Sequence, residues 1–166
     1  LETDDLAVLS TAQIRALTTA QLAGLDSADV AVLGSTQLAA LTTLQLRAIE
    51  TADLAALGAS TLATLATNQI AALTTAQVNA LGSDQLQALT TAQLRALGSA
   101  QLAALTSDDL NTLTAEQLGS LSTARLAALS STQLNSMASD DLLALTTQQV
   151  RGLTTTQLAG LATDVL

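Results

Sequence analysis

Aliphatic residues return every eight positions along this chain, and no single α-helix can bury a stripe with that period. With the octad numbered from Leu1, position 1 runs Leu1, Leu9, Leu17 and onward to Leu161, and only Ile49 and Met137 depart from Leu. Position 6 is aliphatic in every copy, from Leu6 to Leu166. The 166 residues make twenty octads and a remainder of six. An α-helix turns about 100° per residue, so eight residues overshoot two turns by about 80°. In one continuous helix the stripe would wind around the rod within about five octads. A supercoil absorbs a drift of about 20° per heptad. The helix must therefore break and restart in each octad.

The stretch "LTTAQLRAL", residues 89–97, shows where. It reads as a hydrophobic staple around a capping box. Position 1 is N′, and position 2 is the N-cap, where Thr, Ser, Gly and Asp dominate. Position 5 is N3, and its Gln or Asp reaches back to the N–H of the cap. Position 6 is N4 and packs against N′. Gly34, Gly58, Gly82 and Gly98 also stand at position 2, where glycine suits both the end of one helix and the start of the next. The charges agree. All fourteen acids lie at positions 2, 4 or 5, and Arg15, Arg47, Arg95 and Arg151 lie at position 7. Acids at helix starts and bases at helix ends suit the helix dipole. Position 3 is Ser or Thr except at Ala59 and Ala115. Either the cap is position 3 itself, or this hydroxyl bonds a carbonyl of a neighbouring octad; the second account is preferred.

A helix of five or six residues is far below the ~12–15 needed to stand alone. Stacking must supply the rest, which is the logic of a solenoid. The expected fold is all-α: a superhelix of very short capped helices, one per octad. Positions 1, 6 and 8 are expected to point inward, and positions 4 and 7 outward. Asp5, Asp29 and Asp53 recur every 24 residues, as do Gly34, Gly58 and Gly82. That spacing suggests three octads per coil and about seven coils. With helices ~8–10 Å apart the rod would be about 55–70 Å long. The competing architecture is a β-solenoid, disfavoured by the Leu, Ala and Gln content. No linker divides the chain, so residues 1–166 read as one repeat array.

Composition bounds the function. There is no Phe, Tyr, Trp, Pro, Cys, His or Lys, and the net charge is −9. That charge opposes binding to nucleic acid or an anionic membrane, and no apolar run is long enough to span a bilayer. Zinc lacks its usual His and Cys ligands. Ser and Thr lack a His or Lys to activate them as nucleophiles. The pairs Asp4-Asp5, Asp108-Asp109 and Asp140-Asp141 read as solvated acids at helix starts, not as calcium ligands converging on one loop. Hence no catalytic, cofactor-binding or metal residue is assigned, no cofactor is expected, and the chain is expected not to be an enzyme. Leu44 and Leu143 stand at outward positions as isolated exposed aliphatics.

"LTTAQLRAL" resembles the opening helix of transcription-activator-like effector repeats. It covers under a third of such a repeat, without the second helix or the base-reading loop, so no DNA-binding residue carries over. Over all 166 residues the chain more closely resembles the octapeptide "LTTxQLxA" tandem-repeat tracts of large bacterial proteins. That resemblance implies a spacer or scaffold, secreted or at the cell surface, and no site. The leading expectation is a non-enzymatic stalk, spacer or scaffold segment of a larger bacterial protein. The alternative is a binding module with a regular Thr/Ser/Gln face for ice or protein. Leu1 and Leu166 would lie at uncapped ends, so end-to-end self-association or flanking domains are expected.

Overall fold

A computed structural model describes residues 3–161. Leu1 and Leu166 lie outside the described residues. Twenty helices of four to six residues follow one another, one per octad, from Thr3–Ala7 to Thr155–Gly160. All begin at position 3. Among the described residues there is no strand, so the fold is an all-α solenoid of short helices and the β-solenoid alternative is set aside.

From Ser10 onward, position 2 is the N-cap of every described helix. Thr90 has φ −66° and ψ 157°, and its hydroxyl accepts from the N–H of Gln93 while the Thr90 N–H donates to Gln93 Oε1. The helix then runs to position 6, 7 or 8. It stops because position 1 turns extended: Leu97 has φ −58° and ψ 136°, and its N–H donates to the carbonyl of Leu94. The position-2 glycines differ from the expected C-terminal role. Gly98 has φ −75° and ψ 164°, and no described residue has a positive φ. These glycines are caps without a side chain, and no left-handed turn ends the preceding helix.

Each helix packs on the one three octads later. Thr67–Ala72 lies on Thr91–Ala96, and Ala59–Leu62 on Ser83–Ala88. One coil is thus three octads. Position 6 fills the centre: every such residue from Leu6 to Leu134 is 0–1% exposed. Position 1 lines it from Leu25 to Met137. Position 4 is exposed in every described octad, and Leu44 and Leu143 are exposed as expected.

Position 8 departs from its expected inward place. Val8 is 81% exposed, and of this set only Ala40 is buried. Its small size has a different cause. A Cβ on Gly152 would lie 2.6 Å from the Thr123 Cβ, and one on Gly160 would lie 2.7 Å from the Ser131 Cβ. At these two octads position 8 faces position 3 of the coil below, and close approach between the coils limits its size.

Candidate functional site

No catalytic, cofactor or metal residues were assigned from sequence, so the site is built from the polar groups that the fold organises. A short helix leaves its first N–H groups and last carbonyls without intrahelical partners. Two such ends meet at position 5. In eleven octads the Gln there donates from Nε2 to the position-1 carbonyl 28 residues earlier, at 2.6–2.9 Å. The same amide accepts from the cap N–H of its own octad through Oε1, as Gln77 does from Thr74 at 2.9 Å. One side chain thus closes the start of one helix and the end of another. Several reach a second carbonyl in the same turn. Gln37 contacts the carbonyls of Leu6 and Leu9 at 2.8 and 2.9 Å.

Ten of these eleven amides are buried, and Gln133 is half-buried. Sequence reasoning found the capping half of this role and missed the stitch. A signal for it was present. A carboxylate serves a capping box as well as an amide does, yet position 5 is Gln in thirteen octads and Asp in five. A carboxylate accepts only, whereas an amide also donates.

The departures at position 5 support this. Arg125 has no amide, and its Nε donates to the Leu97 carbonyl at 2.6 Å, in the place of the Gln Nε2. Asp29 and Asp53 cannot donate, and each accepts instead: Thr3 Oγ1 donates to Asp29 at 2.9 Å and Ser27 Oγ to Asp53 at 2.7 Å. These two position-3 hydroxyls bond a carboxylate of the coil above, not the carbonyl preferred from sequence. Thr61 makes no bond between coils. A second, outer contact recurs at position 7, where Arg15 Nε donates to the Ala40 carbonyl at 3.1 Å and Asn111 Nδ2 to that of Ser136 at 3.0 Å.

With Gln turned inward, the outer face carries Ser and Thr but not the Gln row expected beside them. The octads beginning at Leu1, Leu25 and Ile49 stack on one another. Together they carry Asp4, Asp5, Asp26, Asp29, Glu50 and Asp53 with no Arg. In the Asp4-Asp5 and Asp108-Asp109 pairs the acids stand in the first turn of their helices, and Asp109 Oδ2 accepts from the Thr106 N–H at 2.8 Å. Burial, and then the charge of Asp140, raise the Asp141 carboxyl above its ordinary value. Among the described residues no three acidic, His or Cys side chains gather as a metal would require. The clefts are shallow grooves at the corners between octads. One of about 550 Å³ lies among Arg47, Glu50, Thr51, Thr74 and Gln77. No described helix is long and apolar enough to cross a membrane.

A period of eight, a coil of three octads and an amide ladder between coils define a tandem-repeat α-solenoid. The profile of the ALTTAQ repeat matches residues 1–35, 14–43, 46–83 and 78–115, tiling the chain in tandem. These matches cover more than half of it, and the chain belongs to the ALTTAQ repeat family. No curated protein sequence matches the chain.

Proposed function

We propose that this chain is a non-enzymatic spacer or scaffold segment, a rod whose length is set by the number of coils. The observation that carries the reading is the ladder. The same Gln-to-carbonyl bond recurs from Gln37 to Gln157, so each coil adds the same increment to the same axis. Repeat arrays of this kind draw stability from neighbour contacts and tolerate changes in repeat number. The acidic strip of the first coils, free of Arg, speaks against a polyanionic partner such as nucleic acid. Removing one coil tests the reading. Thr67 and Thr91 start helices three octads apart, and deleting residues 67–90 joins Ala66 to Thr91 in register. Gln93 then meets the Leu41 carbonyl that Gln69 meets now. The shortened chain should keep its helical circular dichroism, and small-angle scattering should show a rod ~8–10 Å shorter. Loss of helical structure, or an unchanged length, sinks the proposal.

A further inference from the structure

We propose that Asn111 is a latch holding the octad Met137–Ala144 to the coil beneath it, and that this octad is where the rod opens first. Three ties found elsewhere are missing there. Its N-cap is Ala138, which has no capping side chain. Its position 5 is Asp141, which has no amide to donate, so no side chain reaches the carbonyl of Leu113. In the preceding octad Gln133 fills that role at the Leu105 carbonyl, at 2.7 Å. Its position-6 residue, Leu142, and the following Leu145 are only partly buried; Val150 and Leu158, at position 6 of the next two octads, are 42% and 41% exposed, but their octads keep the stitches of Gln149 and Gln157. In their place, Asn111 of the coil below reaches up. Its Oδ1 accepts from the Ala138 N–H at 3.1 Å, and its Nδ2 donates to the Ser136 carbonyl at 3.0 Å.

The other octads with an incomplete stitch keep something that this one lacks. Asp109 still caps its own helix through the Thr106 N–H. The octad of Thr61 keeps Leu62 and Leu65 at 0% and 3% exposure. Met137–Ala144 has neither a capping side chain nor a fully buried position 6, so its polar tie to the coil below, at the Ala138 N–H, and the one at the Ser136 carbonyl just before it both come from one exposed side chain. Local opening follows the weakest cooperative unit. A rod serving as a spacer would yield there under load while its stitched coils stay closed.

Amide hydrogen exchange on the full chain tests this. Leu142 and Leu145 donate to the carbonyls of Ala138 and Leu142, and Leu94 and Leu97 are their counterparts in a stitched octad. Exchange at Leu142 and Leu145 should be at least tenfold faster than at Leu94 and Leu97. Asn111→Ala should speed it by about a further tenfold, the effect of losing both bonds. Asp141→Gln should slow it by about tenfold, because Gln supplies the cap acceptor and the donor to Leu113 together. In the double variant, Asp141→Gln should offset the loss of Asn111. Three outcomes would overturn the proposal: exchange at Leu142 as slow as at Leu94, no response to Asn111→Ala, or a graded rise toward residue 161 that neither substitution alters.

Discussion

Gln93 donates from Nε2 to the carbonyl of Leu65, 28 residues earlier, at 2.7 Å. Its Oε1 accepts from the Thr90 N–H at 2.8 Å, and the residue is 3% exposed. Replacing it by Glu keeps the acceptor and removes the donor. It also sets a buried carboxylate against the carbonyls of Leu65 and Ala63. Gln93→Glu should cost about 2–4 kcal/mol. Gln13 is exposed and its amide serves only its own cap, Ser10. Gln13→Glu should therefore stay within about 0.5 kcal/mol. Urea melts of both variants measure the difference. Equal losses would show that position 5 is a cap and nothing more.

Gly152 and Gly119 should respond to alanine with opposite signs. A Cβ at 152 meets the Thr123 Cβ at 2.6 Å and its Cγ2 at 2.9 Å, whereas one at 119 meets nothing within 4 Å. Gly152→Ala should destabilise by about 1–3 kcal/mol through overpacking between coils. Gly119→Ala, at the end of the helix Ala115–Gly119, should stabilise by up to about 1 kcal/mol. Thermal melts separate the two, and a gain at both positions would mean that the coils separate freely at Gly152.

The octad, the cap at position 2, the central place of position 6 and the three-octad coil were all legible in the sequence, because each leaves a periodic mark. Leu94 declares itself through the residues eight away, and Thr90 through its place before an apolar run. The stitch was hidden because capping already accounts for Gln93, and a residue with one sufficient reason does not advertise a second. Only the preference for Gln over an acid at position 5 distinguishes the two. Position 8 misled for a related reason. Small residues there resemble core alanines, but at Gly152 it is the clearance to Thr123 in the coil below that sets the size. The latch at Asn111 could not be read at all, since it joins residues 25 and 27 apart and does not recur as a rule of the octad.

Asp141 makes part of the stability depend on pH. Burial, and secondarily the charge of Asp140, raise its carboxyl above the ordinary carboxylate value. The folded chain then holds this proton more tightly than the unfolded chain. Stability contributed here is present in acid, falls as pH rises through the window between the two values, and stays lower above it. Asp141→Asn removes the ionisable group. Its melting temperature should exceed that of the parent at pH 7, and the excess should shrink at pH 3. An excess of the same size at both pH values would assign the effect to the added amide rather than to the charge.

Thr61 marks a stitch that can be added. It stands at position 5 of the octad Leu57–Thr64, half-buried, and its hydroxyl makes no bond to the coil below. The cap of that octad is Gly58, with no side chain of its own to offer. By the geometry that Gln69 and Gln93 share, Thr61→Gln would accept from the Gly58 N–H and donate to the Leu33 carbonyl. Two hydrogen bonds gained, less the cost of fixing a longer side chain, leave about 1 kcal/mol of stabilisation. For a chain of this size that is a rise of roughly 2–4 °C in melting temperature. Thr36→Gln, at an exposed position 4, adds the same side chain without the stitch and should leave stability within about 0.5 kcal/mol. If the two substitutions give the same result, the ladder does not add stability one rung at a time, and its regularity would reflect solubility or synthesis rather than the strength of the rod.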